Sequence, residues 1–176
     1  MLEQIGLKFA VCESAYEEDM NALEDPYELV KFLARKKGED VARHYNDAII
    51  ISADTFIICD GVFIGKPKTR DEAREILKKF SGHEHEAVSG YAIINTKTGK
   101  IINDFGSARV KFRKLSNDEI EGYIDTGEPF DKAGGYGLQD KAAVLIEGIL
   151  GDFYSIIGLP LSKVYVGLRE MGVKIF

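Results

Sequence analysis

The stretch ISADTFIICDGVFIGKP, residues 51–67, decides the fold. A run of β-branched and aromatic residues leads into Asp60 and Gly61, the preferred pair for a two-residue turn, and a second apolar run follows them. The pattern predicts a β-hairpin joined to a buried strand.

The sequence on either side of this hairpin alternates between helical and strand patterns. Capping residues, apolar stripes at helical spacing and β-rich runs delimit the other elements. The predicted helices are 26–45, 69–82, 116–123 and one after Pro160, and the predicted strands are 86–95, 101–112, 142–146 and 173–176. Such alternation implies an α/β fold in which a mixed, twisted sheet is flanked by helices.

Composition narrows the class of protein. The chain has 176 residues, of which 45% are hydrophobic and 30% charged, and this predicts a single globular domain, 1–176. The net charge of −6 argues against a nucleic-acid partner, because phosphate backbones are bound by clustered Lys and Arg. The start, MLEQIGLKFAV, has no signal-peptide or membrane-spanning pattern, so we expect a cytoplasmic protein without a membrane partner. The sequence does not determine the oligomeric state, and it is compatible with a homodimer.

Cysteine and histidine show no metal-ligand spacing. Cys12 and Cys59 each lie in an apolar run, which favours buried free thiols. No histidine belongs to an HExxH or similar motif. His85 stands beside Glu86 and is interpreted as part of an ordinary polar pair on a strand.

Asp54 is the first candidate catalytic residue. It interrupts the most apolar stretch of the chain, between AIIISA and FII. Burying its carboxylate unpaired would be costly, so it needs a cation, a metal, hydrogen-bond donors or a place at a cleft where the strand ends. A structural aspartate satisfied by backbone amides is the alternative.

The hairpin register brings a lysine back towards this aspartate. With a two-residue turn, Thr55 faces Lys66 and Asp54 faces Pro67. A bulge or bend at Gly65 would turn the lysine towards the face of Asp54. A cation beside a carboxylate suits phosphate chemistry, and a surface lysine before a turn proline is the alternative.

Two charged clusters are ambiguous by themselves. The acidic residues 17–19 follow the apolar LKFAV segment, in a loop at a predicted strand end, and the basic residues 35–37 lie on the first full helix. Both patterns are usually solvated faces. Carboxylates can also bind a hard cation, and lysines can bind phosphate.

The segment DKAGGYGLQD, residues 131–140, is rich in glycine and leads into an apolar run. Glycines allow a backbone to approach a ligand closely, and Lys132 and Gln139 could contact phosphate and base. The segment is neither a Walker loop nor a GxGxxG dinucleotide turn, so it is a weak signal by itself.

The first residues resemble the end of a helix. Leu2, Ile5 and Gly6 have the pattern of a last turn followed by a C-terminal glycine, although five residues cannot form a stable helix. A frayed terminal turn and a helix whose beginning is missing are both compatible with this pattern.

Four segments, taken in order, resemble the Maf family of nucleotide pyrophosphatases: ISADTFIICDGVFIGKPKTRDEA, FSGHEHEAVSGYAI, LSNDEIEGYIDTGEPFDKAGGYGLQD and FYSIIGLPL. The resemblance runs from residue 2 nearly to the end. It implies a Maf or ITPase-like α/β fold with two lobes around a cleft. The implied activity is hydrolysis of a nucleoside triphosphate to monophosphate and pyrophosphate with a divalent cation, Mg²⁺ or Mn²⁺.

The resemblance also implies roles for single residues. Asp54 matches the aspartate of the ADT motif and would be the base that activates water. Glu18 matches an acidic position after the second strand and would bind the metal together with Asp54. Lys37 and Lys66 match lysines that bind the phosphates.

Two further matches concern the choice of base. Thr55 and Gln139 occupy positions associated with base selectivity, the latter in a motif of the form DKAGxYGxQ. Members with this motif act on dTTP and UTP, whereas a different sequence marks those acting on methylated guanine nucleotides. The resemblance therefore implies dTTP and UTP as substrates, in house-cleaning of the nucleotide pool, and some members are linked to arrest of septum formation.

The chain departs from the family pattern at its start. The family begins with a strand, an SxSPRR loop and a helix that ends in a sequence like LLEQLG, whereas this chain starts at MLEQIG. We therefore expect the first strand and its loop to be absent and Met1 to be an internal methionine. Gly38 replaces a usual alanine and Ser155 a usual asparagine. A nucleotide-binding regulator of septum formation with weak or no turnover is the alternative function, and pyrophosphate release distinguishes the two.

Overall fold

The computed structural model describes all 176 residues, and the chain divides into two compact units. The first unit contains residues 1–54, 89–106 and 158–176, and the second contains 55–88 and 107–157. Three long strands contribute residues to both units. No helix is both long and apolar enough to cross a bilayer.

Five strands and five α-helices form the regular structure. The strands are β1 (Ile49–Cys59), β2 (Val62–Ile64), β3 (Glu84–Asn95), β4 (Ile101–Phe112) and β5 (Ile146–Gly151). The helices are α1 (Pro26–Ala42), α2 (Arg70–Phe80), α3 (Asn117–Asp125), α4 (Phe153–Ile157) and α5 (Leu161–Glu170). Short 3₁₀ turns occupy Glu3–Ile5, Glu128–Asp131, Ala133–Gly135 and Lys141–Leu145.

The strands form one sheet in the order β2-β1-β3-β4-β5. The predicted α/β fold is confirmed, but the sheet is antiparallel rather than mixed. The connections explain two of the four pairings: β1 and β2 are joined by a two-residue turn and β3 and β4 by a short loop, and such short connections join only antiparallel strands.

The predicted hairpin forms as expected at its turn. Asp60 and Gly61 have φ angles of 53° and 75°, the left-handed geometry that this type of turn requires. The register pairs Cys59 with Val62 and continues to Ile57 with Ile64. The ladder stops there, so the predicted pairing of residues 54 and 55 with 67 and 66 does not form.

The predicted helix starts are confirmed by their caps. The Asp25 carboxylate accepts from the backbone N–H groups of Tyr27 and Glu28, and Pro26 occupies the first turn of α1. Thr69 caps α2. Helix α3 begins with a reciprocal capping box between Ser116 and Glu119.

In the first unit, helix α1 lies unusually close to two strands. A Cβ at Gly90 of β3 would overlap the backbone carbonyl of Val30, so only glycine permits this approach. A Cβ at Gly38 would lie 2.5 Å from the Ser52 hydroxyl oxygen of β1. The buried face of α1 includes Leu29, Val30, Leu33 and Ala34.

The second unit has its own apolar core. Helices α2 and α3 and the ends of β1, β3 and β4 supply it, with fully buried side chains that include Leu77, Phe80, Val110 and Phe112. Tyr136, from the glycine-rich segment, is also inside it.

Three predicted strands are wrong. Residues 173–176 and the LKFAV segment, residues 7–11, form no strand, because neither has a neighbour in the five-stranded sheet that could supply hydrogen bonds. Residues 142–146 are mostly a 3₁₀ turn, and the strand begins where they end. The prediction of a buried thiol holds for Cys59 but not for Cys12, which is exposed directly after the LKFAV segment.

Candidate functional site

Three predicted site residues of the first unit meet around one ammonium group. The Lys37 Nζ lies 2.6 Å from the Glu18 carboxylate and 3.1 Å from Oδ1 of Asp54. Helix α1 carries the lysine, β1 carries the aspartate, and the irregular segment before α1 carries the glutamate. The structure therefore brings Glu18, Lys37 and Asp54 together.

Burial and charge act in opposite directions on this lysine. Partial burial disfavours its charge, but the hydrogen bond to Glu18 and the attraction of Asp54 outweigh burial and raise the pKa of Lys37 above its usual value. The Asp54 side chain is only 14% exposed, whereas that of Glu18 is 41% exposed. The group is thus a charged cluster open to solvent at its glutamate side.

Asp40 of α1 fixes the segment that precedes Glu18 in the sequence. The Asp40 carboxylate accepts from the Ser14 hydroxyl at 3.0 Å and from the backbone N–H of Ala15 at 2.8 Å. These bonds, the Ala15 N–H first, lower the pKa of Asp40. Asp40 lies almost one turn after Lys37, so the same helix face carries the lysine and fixes the segment that leads to Glu18. Sequence reasoning missed Asp40, although its spacing from Lys37 was a usable signal.

In the second unit, the glycine loop, defined as residues 131–140, is tied down by its backbone. The Gly134 N–H donates to the Gly65 carbonyl at 3.0 Å. Gly134 and Gly135 have φ angles of 69° and 70°, so this turn depends on glycine at both positions. The predicted bend at Gly65 is therefore used to bind this loop rather than to extend the hairpin.

Lysine and glutamine side chains lie on the outside of the glycine loop. Lys132 forms ion pairs with Asp131 at 3.0 Å and Asp140 at 3.2 Å. Gln139 is exposed in the turn that closes the loop. Lys66 is also exposed, in the segment after β2, and its charge contributes after that of Lys132 to lowering the pKa of Asp131.

Thr55 follows Asp54 on β1 and is half-buried. Adjacent residues of a strand point to opposite faces, so the side chains of Asp54 and Thr55 start out on opposite faces of β1. The structure thus groups Glu18 with Lys37 and Asp54, and it leaves Thr55, Lys66 and Gln139 on the other unit.

The predicted polar pair of His85 and Glu86 is wrong. His85 is 4% exposed and shares a hydrogen bond of 2.7 Å with the Tyr136 hydroxyl. Its ring stacks on Phe80 at a centroid distance of 4.0 Å. Burial lowers the pKa of His85 to about 4, so the ring is neutral at pH 7. The alternation of β3 places this residue on the core side, and sequence alone gave no partner for it.

The cluster around Lys37 has the charge pattern that a cation requires. Two carboxylates contact one ammonium, which acts as a stand-in for a positive ion between them. Carboxylate oxygens suit Mg²⁺ or Mn²⁺. No group of three or more His, Cys, Asp or Glu side chains could hold a metal ion. A cation at Glu18 and Asp54 would therefore share its coordination with water or with phosphate oxygens, as Mg²⁺ commonly does.

The lysine held between two carboxylates combines a cation that can neutralise phosphate with a group that can accept a proton. The profile of the family described as Maf-like protein matches residues 1–171, and the chain belongs to this family.

Curated relatives share this sequence over almost its whole length. A dTTP/UTP pyrophosphatase of Methanococcoides burtonii is 44% identical over 172 residues, which are 98% of this chain and 88% of the relative. A dTTP/UTP pyrophosphatase of Dictyoglomus turgidum is 44% identical over 173 residues, with 98% and 90% of the two chains covered. One of Alkaliphilus metalliredigens is 43% identical over 164 residues, with 93% and 85% covered.

Proposed function

We propose that this chain hydrolyses dTTP and UTP to the nucleoside monophosphate and pyrophosphate. The observation that carries the proposal is the contact of Lys37 with both Glu18 and Asp54. The arrangement supplies a carboxylate that can accept a proton and a cation that can neutralise phosphate, and the family membership and the names of the relatives support the same reaction.

The chemistry follows from these side chains. In the proposed reaction, water attacks the α-phosphorus, the bond to the bridging oxygen breaks, and pyrophosphate leaves. Asp54 accepts the proton of the attacking water, and the Lys37 ammonium lies 3.1 Å from its Oδ1. Lys37 then stabilises negative charge on the triphosphate.

Glu18 and Asp54 are the residues that would hold a divalent cation. When bound, Mg²⁺ or Mn²⁺ supplies charge neutralisation at the phosphate oxygens. Without the cation, Glu18 and Asp54 contact the Lys37 ammonium. A triphosphate offers this lysine an alternative anionic partner. Lys37 is thus positioned to exchange a carboxylate for a phosphate without leaving the cluster.

The proposed choice of base rests on the second unit. Thr55 and Gln139 are proposed to contact the pyrimidine base, and Lys66 the phosphates. The exposed position of Gln139, on a loop that the bond from Gly134 to Gly65 joins to the segment after β2, supports this role. We propose dTTP and UTP as the molecules that bind to these residues.

A substrate panel tests the proposal. Pyrophosphate release is measured for dTTP, UTP, CTP, ATP and GTP with Mg²⁺ and, separately, with Mn²⁺. We expect dTTP and UTP to be preferred. Equal rates on ATP and GTP would contradict the choice of substrate, and no release from any nucleotide would contradict the reaction.

Asp54→Asn tests the role of the base, because the amide keeps the shape but cannot accept the proton. We expect turnover to fall by ~10² to 10⁴. Asp47→Asn is the matched control, since Asp47 is an exposed acid shortly before β1 that pairs only with Lys97. Turnover near the wild-type value in Asp54→Asn would show that another group accepts the proton.

A further inference from the structure

The side chain of Tyr136 anchors the glycine loop in the second unit. Tyr136 lies between Gly135 and Gly137, is 5% exposed, and packs edge to face against Phe112 at a centroid distance of 5.0 Å. On either side of Tyr136 in the loop, Lys132 is half-buried and Gln139 is exposed. The loop thus has one aromatic side chain directed into the core and its functional side chains directed outward.

Tyr136 finds one polar partner inside the core. Its hydroxyl and Nε2 of His85 are 2.7 Å apart. The other ring nitrogen of His85 is buried without a hydrogen-bond partner, so the bond to Tyr136 is the only one that the ring makes. Phe80 and Phe112 cover the remaining sides of the imidazole. His85 therefore provides a hydrogen-bond partner for the Tyr136 hydroxyl and for no other group.

We propose that His85 is a positioning residue for substrate binding, which holds the glycine loop through Tyr136 in the conformation that presents Gln139 to the nucleotide. This inference rests on the proposed function of the same loop. His85 acts from inside the core and does not contact the substrate.

The backbone explains why a single buried bond can have this effect. The loop has left-handed glycines at 134 and 135, and the backbone bond from Gly134 to Gly65 ties its first half to the segment after β2, whereas the bond from Asp140 to Gly137 lies within its second half. Glycine leaves many alternative conformations open, so the anchor at Tyr136 selects among them. When only a fraction of the molecules has the binding-competent loop, the apparent affinity falls by that fraction.

Three variants isolate the bond. His85→Phe keeps an aromatic ring but leaves the Tyr136 hydroxyl without its partner, and Tyr136→Phe leaves the imidazole without its partner. The double variant removes both polar groups and restores an apolar core, which is much less costly than leaving one group unsatisfied. Ile124→Val is the control, because Ile124 is 1% exposed in the same core and lies outside the contacts of His85 given above.

Binding is measured with the Asp54→Asn change in every protein, so that turnover does not affect the result. We expect His85→Phe to weaken dTTP binding by about ten-fold, and the double variant to recover most of this loss. Hydrogen exchange of the backbone N–H groups 134–139 is expected to accelerate in parallel. Ile124→Val is expected to lower the melting temperature without changing either quantity.

Two results would overturn the inference. Unchanged dTTP affinity in His85→Phe would show that the bond serves the core alone. Equal weakening by Ile124→Val, at an equal loss of melting temperature, would show a general effect of stability. Failure of the proposed function is a separate result, since it is the absence of pyrophosphate release by the wild-type chain, whereas these measurements use binding and exchange.

Discussion

Acidification should destabilise this protein through one buried imidazole. The folded-state pKa of His85 is about 4, against an ordinary value of 6.5. Between these values the unfolded chain binds a proton that the folded chain does not, so stability falls as the pH falls through this window and the loss is nearly complete at pH 4. From pH 7 to 4.5 the expected loss of unfolding free energy is about 2 to 3 kcal/mol, since each pKa unit corresponds to about 1.4 kcal/mol.

Urea unfolding at a series of pH values measures this loss, and His85→Phe identifies its source. Carboxylates also titrate in this range, but they do so in both proteins, so the difference between the two curves belongs to His85. The variant should be less stable at pH 7, because the Tyr136 hydroxyl loses its partner, and its curve should be flatter in acid. His83→Phe is the control, since His83 is exposed. Parallel curves for wild type and His85→Phe would refute the reasoning.

Three other predictions concern the first unit. Lys37→Met should tighten the binding of Mn²⁺ to the nucleotide-free protein by about five-fold, because the lysine competes with the cation for Glu18. The same variant should have a raised KM for dTTP. A Mn²⁺ titration followed by EPR tests the first effect, and weaker Mn²⁺ binding would contradict it. Asp40→Ala should free the Glu18 segment and accelerate its hydrogen exchange, and unchanged exchange would contradict this anchoring role. Gly38→Ala should lower the free energy of unfolding by about 1 kcal/mol although alanine favours a helix, because the new Cβ would displace the Ser52 hydroxyl. In a Ser52→Ala background, the same change should be neutral or stabilising, and thermal unfolding measures both effects.

Local signals predicted the elements whose causes are local. The turn at Asp60 and Gly61 needs only left-handed geometry at two adjacent residues, and the sequence names both. The caps at Asp25, Thr69 and Ser116 likewise act within four residues. These elements formed where they were predicted, with small differences at their ends.

Strand predictions failed where a partner decides the outcome. The LKFAV segment has an alternating pattern, but a strand requires a neighbour, and no strand of the sheet pairs with it. Its Val11 is 83% exposed. The sheet direction failed for a related reason: alternation of helices and strands suggested parallel crossovers, whereas the hairpins at 60–61 and 96–100 impose antiparallel neighbours.

Asp54 and His85 show where sequence reasoning about a site ends. Asp54 interrupts an apolar stretch, so the cost of burial predicts that it must have a partner, whereas His85 stands between Glu84 and Glu86 and its sequence context does not indicate burial. For Asp54 the partner is a lysine on a helix, and for His85 it is a tyrosine 51 residues further along the chain. The first pair is charged and lies next to solvent, so it can exchange partners with a ligand, whereas the second is neutral and enclosed, so it can only hold its partner in place. The partner that the fold supplies therefore determines whether such a polar residue can react or can only position another group.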